Sequence, residues 1–206
     1  MNKLSSENNR FSYPHATLQQ IAQDILNHAQ QGGATSCETN VSDGFGQNVT
    51  VRQREVETIE YNRDKGLSVT VYIGQKRGNA STSDFSPQAI SDTVAAALSI
   101  ARHTATDDCS GLADKELLAE SVPDLDLYHP WVLPVEQAID IARECEEAAF
   151  SADKRINNSE GASVSLGESQ FVYANSNGFM GGYPISRHSI SCVAIAEQDD
   201  AKQRDY

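Results

Sequence analysis

The chain has 206 residues, of which 39% are hydrophobic and 22% charged. That is enough to bury a core in one large domain or two small ones, and too apolar for a disordered chain. A net charge of −13 repels phosphate backbones and anionic lipid, which sets nucleic-acid and membrane binding aside.

Four cysteines, Cys37, Cys109, Cys145 and Cys192, lie far apart without a CxxC pair. Their spacing implies neither a disulfide framework nor a structural zinc site, so buried free thiols in a reducing compartment are expected. The first ten residues are polar and carry no apolar h-region, and no run approaches the length of a membrane span. A soluble, cytoplasmic protein follows. Without secretion, the sequons at Asn48 and Asn79 carry no meaning.

Residues 1–13 read as a flexible tail and 14–206 as the folded domain. A first helix is predicted over 16–31, because Leu18, Ile21, Ala22, Ile25, Leu26 and Ala29 fall on one stripe and Gly32-Gly33 ends it. His28 sits at the stripe's edge and reads as surface. Residues 34–83 are β-rich, with strands predicted near 35–42, 47–54, 55–61, 66–74 and 78–83. The segment REVETIEYNRDKGLSVTVY, residues 54–72, is expected to be a hairpin with its reversal at residues 62–66. Leu67, Val69, Val71 and Ile73 give its second strand an apolar face. Arg63, Lys65, Lys76 and Arg77 read as solvated turn charges rather than a nucleic-acid patch.

The second helix opens at Ser86, a good N-cap, with Pro87 at the first helical position. Ile90, Val94, Ala97, Leu98 and Ala101 form its buried stripe, and His103 suits its C-terminal dipole. A long connection, 104–134, holds Asp124, Asp126 and His129. This is the most metal-like cluster in the chain, yet the spacing names no further ligand. The expected reading is an extended linker with Leu125, Leu127 and Trp131 packed inward and the acids in water. The third helix, 134–153, carries Val135, Ala138, Ile139, Ala142, Cys145 and Ala149 near one stripe. Glu144, Glu146 and Glu147 are expected on its wet face rather than in acid–base work.

Residues 156–206 are β-rich again, with a hairpin turn at Asn175-Ser176-Asn177-Gly178 and a long strand from Arg187 to Glu197. His188 and Ser189 invite a nucleophile–base reading, but adjacent strand residues point to opposite faces. No GxSxG elbow, HExxH, P-loop or GxGxxG is present. The ending at Tyr206 closes no element and reads as a cut. Residues alone therefore give an α+β domain, largely antiparallel sheet with three amphipathic helices, and name no catalytic, cofactor-binding or metal residue.

Taken in order, REVETIEYNRDKGLSVTVY, SDFSPQAI, GLADKELLA, PDLDLYHP, DKRINNSEG, ANSNG and RHSISCVAIAE resemble the N-terminal half of the PmbA (TldE) branch of the TldD/PmbA metalloprotease family. The resemblance implies a cytoplasmic subunit that pairs with a TldD-like subunit and takes part in proteolysis of unfolded or extended peptides, in peptide maturation and antitoxin degradation. In that family the TldD-type subunit carries an HExxxH zinc motif and the PmbA type does not. The sequence contains no HExxxH, so the resemblance carries no catalytic or metal residue over to it, and zinc is expected in the TldD-like partner. Peptide could join by strand addition at edge strands near 78–83 or 187–196. The alternative is a non-enzymatic regulatory module of the DNA-gyrase-modulator type.

Overall fold

A computed structural model describes residues 10–206. The elements are α1 (His15–Gln31), β1 (Ser36–Arg52), β2 (Glu55–Ile73), β3 (Lys76–Thr82), α2 (Pro87–His103), α3 (Val135–Ala152), β4 (Ile156–Asn175), β5 (Met180–Gly181), β6 (Pro184–Gln198) and β7 (Ala201–Asp205). In hydrogen-bonding order the strands run β3-β2-β1-β4-β6-β7, with β5 beside β4. The α+β architecture with three helices is the expected one. The described chain divides into two compact units. The first takes residues up to 44, 64–127 and 169–185; the second takes 45–63, 128–168 and 186–206.

In the first unit, α1 buries every residue of its stripe, Leu18, Ile21, Ala22, Ile25, Leu26 and Ala29. They share one core with Val69 and Val71 of β2 and with Ile90, Val94, Ala97 and Leu98 of α2. Each such Leu, Ile or Val contributes about 1.5–3 kcal/mol by leaving water. The Oγ of Ser86 accepts the N–H of Ala89 at 3.3 Å and Pro87 opens the helix, so α2 begins as its sequence signals. β3 lies antiparallel to β2 from Leu67↔Thr82 to Ile73↔Lys76. At Gly78 it runs directly beneath α2, where a Cβ would stand 2.6 Å from the backbone nitrogen of Ala101.

In the second unit, Ala138 and Ala142 of α3 pack on Val49, Val51, Val164 and Leu166, with Trp131 at the margin. Small residues at 138 and 142 let the helix backbone approach the sheet closely.

The structure corrects the expected hairpin. Strand β2 runs unbroken through residues 62–66, and β1 runs unbroken through Asp43-Gly44. The reversal lies instead at Gln53 and Arg54, both left-handed, with φ 53° and 67°. Two left-handed residues make a two-residue hairpin turn whose twist matches that of the strands. Neither residue favours this conformation, so a tertiary contact holds it. Glu146 of α3, fully buried, accepts the N–H of Gln53 at 2.9 Å and of Arg54 at 2.7 Å, and also bonds Ser159 Oγ. Glu146 is therefore part of the core and not the wet face.

Two further expectations change. Leu125 and Leu127 are 46% and 44% exposed rather than packed inward, while Trp131 does pack. The strand 187–196 is an edge only in part: β6 lies between β4 and β7, but β7 pairs it from Ala194 to Gln198 and not over residues 187–193. Residues 1–9 of the expected tail lie outside the described residues. Tyr13, at its end, is held by its N–H on Asp43 and its carbonyl on Gln170.

Candidate functional site

The loop acids do not assemble as a metal site. Asp124 Oδ1 accepts the N–H of Asp126 at 3.0 Å, a local turn contact. The backbone N–H of His129 donates to Ser186 Oγ at 2.8 Å. Among the described residues, no three His, Cys, Asp or Glu side chains converge as metal ligands would.

His188 has a structural partner. Its Nε2–H donates to the carbonyl of His129 at 2.9 Å, and its ring meets Trp131 edge-on at 5.8 Å. The imidazole thus pins the segment before α3 to β6. Ser189, the next residue on the strand, is exposed.

A carboxylate–tyrosine cluster in the first unit was not visible in the sequence. Tyr72 Oη donates to Glu38 Oε1 at 3.0 Å, and Tyr173 Oη to Glu38 Oε2 at 2.8 Å. Their strands β2, β1 and β4 are neighbours, which a linear reading cannot establish. Burial, together with the Glu38 charge, pushes the Tyr72 phenol up to about 12, and burial raises Tyr173 too. These phenols stay protonated and serve as donors, not as bases.

The cavity of the first unit, about 400 Å³, lies along α1. Ile21 and Ile90 supply its apolar floor, and Asp24, His28, Asp84 and Lys65 supply polar groups. Lys65 Nζ donates to Tyr13 Oη at 3.0 Å and sits 5.3 Å and 5.1 Å from the centroids of the Tyr13 and Phe85 rings. The bond to Tyr13 raises its pKa, so it remains an ammonium and not a nucleophile. The space suits a side chain or a small molecule.

The cysteines are free, Cys37 buried and Cys109 exposed. Burial pushes the Cys37 thiol up to about 11. Since the thiolate is the reactive form, a disulfide reagent at mildly alkaline pH will label Cys109 quickly and Cys37 only after denaturant is added. Rapid labelling of Cys37 in the native chain would contradict the buried core around it.

Comparison with known proteins gives these features a family. Residues 37–101 match PmbA/TldA metallopeptidase domain 1, and residues 128–206 match the PmbA/TldA metallopeptidase central domain. The chain is 47% identical over 175 residues to Metalloprotease PmbA of Escherichia coli O157:H7, covering 85% of this chain and 39% of that protein. It is 44% identical over 189 residues to the Metalloprotease PmbA homolog of Haemophilus influenzae, covering 92% of this chain and 42% of that one. The chain thus spans about two fifths of the length of these curated relatives. In fold it is similar to a candidate modulator of DNA gyrase from Bacteroides thetaiotaomicron, with a TM-score of 0.81 at 22% identity over 90% of this chain and 43% of that one. It is also similar to TldE from Thermococcus kodakarensis, with a TM-score of 0.64 at 12% identity over 88% of this chain and 40% of that one. The two domain matches together cover more than half of the chain, and the curated relatives agree on the branch. This chain belongs to the PmbA/TldA metallopeptidase family, in its PmbA branch, and corresponds to the N-terminal portion of its members.

Proposed function

We propose that this chain acts in proteolysis as the non-catalytic N-terminal portion of a PmbA-type subunit. It would work in the cytoplasm beside a TldD-like subunit that carries the zinc and cleaves unfolded or extended peptides, in peptide maturation and antitoxin degradation. The observation that carries this reading is the 47% identity to a PmbA metalloprotease over 85% of the chain. The chemistry of the side chains supports it. Lys65 and the Glu38-bound tyrosines are held in their protonated forms, and His188 is committed to a backbone carbonyl. In these contacts the groups act as hydrogen-bond donors, which bind and orient.

In this role β3 would accept an extended peptide by strand addition. It ends the strand order, and Asn79 Nδ2 ties it to β2 through Val69 O at 3.1 Å and Thr70 Oγ1 at 3.0 Å. A stiff edge of this kind offers main-chain groups to any sequence. The zinc of the partner would supply the activated water.

The test is co-elution of the purified chain with a TldD-like, HExxxH-bearing subunit on a sizing column. A stable complex that cleaves an unfolded peptide faster than the TldD-like subunit alone is the expected result. No complex and no change in cleavage would overturn the proposal.

A further inference from the structure

The cavity along α1 is about 400 Å³ in volume. α1 lines it with Ile21 and Asp24, and the segment that opens α2 lines it with Phe85 and Ile90. Ile21 and Asp24 lie one helical turn apart, so the apolar floor and the carboxylate share one face. Asp24 is half-buried, and its Oδ1 accepts Gln20 Nε2–H at 2.9 Å. That donor is a neutral amide. Among the described residues no cation pairs with this carboxylate.

Lys65 does not fill that role. Its Nζ donates to Tyr13 Oη at 3.0 Å and lies over the Tyr13 and Phe85 rings, whose centroids are 5.2 Å apart. The carboxylates that act on it are Asp84 and Asp43. Asp84 is held at the cavity by the N–H of Ser86 at 2.8 Å. The Lys65 ammonium is therefore set against two carboxylates already, and Asp24 is left as an uncompensated negative charge beside an apolar floor.

We propose that the cavity takes a basic side chain of an extended peptide, a lysine or an arginine, with its stem on Ile21 and Ile90 and its cationic head at Asp24. The inference rests on the function proposed above for its ligand being a peptide. Lysine and arginine suit such a site because their methylene stems cover apolar surface while the charged head stays at the wet rim. An ammonium or guanidinium gives Asp24 the ionic partner it lacks. An apolar side chain of equal length would strip water from that carboxylate and offer no partner. An acidic one would meet Asp24 and Asp84 with like charge.

The test uses the full chain alone and three blocked peptides, acetyl-Ser-Val-X-Val-Ser-amide with X lysine, norleucine or glutamate. Titration followed by amide NMR shifts gives both the affinity and the place. The lysine peptide is expected to shift Ile21, Phe85 and Ile90 and to bind about tenfold or more tighter than the norleucine peptide, with no binding of the glutamate peptide. Asp24→Asn will remove that preference. Asp92→Asn is the matched control: Asp92 accepts Gln88 Nε2–H at 2.9 Å on α2, as Asp24 does from Gln20, and lies outside the cavity. It removes the same charge and will leave the preference intact. Equal binding of the lysine and norleucine peptides overturns the proposal. So does an equal loss in both variants, which would mean attraction to the net charge of −13 alone, and so do shifts confined to β3 or no binding of any peptide. No TldD-like subunit enters these measurements. A lysine preference at the cavity without a complex would defeat the proposed function and keep the pocket, and a complex without the preference would do the reverse.

Discussion

Glu146→Leu will destabilise the second unit by about 2–4 kcal/mol, while Glu147→Ala, one residue on, will leave its stability nearly unchanged. The two glutamates look alike in the sequence and differ in what they touch. Glu146 is fully buried and accepts the backbone N–H groups of Gln53 and Arg54 and the hydroxyl of Ser159. Leucine keeps the volume but leaves a strained two-residue turn without its acceptor. Each stranded donor costs about 1–3 kcal/mol, less where water can reach the exposed turn. The left-handed conformations at Gln53 and Arg54 then lose the contact that offsets their strain. Glu147 pairs with Arg54 at 2.6 Å, but both side chains are about half exposed, and an exposed ion pair contributes little. Trp131, the single tryptophan, packs on the core of this unit, so its fluorescence reports the unit's unfolding in urea. Equal midpoints for Glu146→Leu and the parent chain would contradict the clamp. Glu146→Gln, which keeps one acceptor oxygen, should fall between.

Gly78→Val will open the first unit, at a cost of about 3 kcal/mol or more. The obstacle is backbone, not a side chain that can turn away. A Cβ at position 78 would collide with the carbonyl oxygen of Ala97 and stand 2.6 Å from the nitrogen of Ala101. Either α2 lifts from β3 or the strand leaves its register with β2. Both changes loosen the core that α2 shares with α1 and β2. Cys37 lies in that core, so the rate at which its thiol is labelled reads the opening directly. We expect Gly78→Val to label Cys37 at least tenfold faster than the parent, as a loss of 1.4 kcal/mol or more implies for an opening equilibrium. Gly111→Ala, where an added Cβ meets nothing within 4 Å, should leave the rate unchanged. If both variants label alike, β3 is not held against α2 as described.

The first two helices were legible because each carries its own stripe; the third was legible in its bounds, but of its expected stripe only Ala138 and Ala142 are buried, together with Glu146. Leu18, Ile21, Ile25 and Leu26, and then Ile90, Val94 and Leu98, are buried as their spacing requires. The strands were legible as β-structure but not in their ends. Residues 62–66 have the composition of a turn and lie inside β2, while Gln53 and Arg54 have no turn signature and form one. The deciding interaction joins residues 93 and 92 positions apart, Gln53 and Arg54 with Glu146. A local pattern cannot contain it. Glu146 itself was misplaced for the same reason, since one of three carboxylates within four residues reads as solvent-facing until its partners are known. The Glu38–Tyr72–Tyr173 cluster needed the strand order before it existed at all. Strand alternation set His188 apart from Ser189 in the sequence, and its partner, the carbonyl of His129, came from the fold.

On the proposed function, the chain handles peptide while a TldD-like subunit does the chemistry. Zinc analysis of the purified chain, paired with a peptide-cleavage assay, tests it most directly. Zinc well below one ion per chain, and no cleavage until a TldD-like subunit is added, is the expected result. Stoichiometric zinc held by the chain's own side chains, with cleavage that disappears in His129→Ala or His188→Ala, would contradict it.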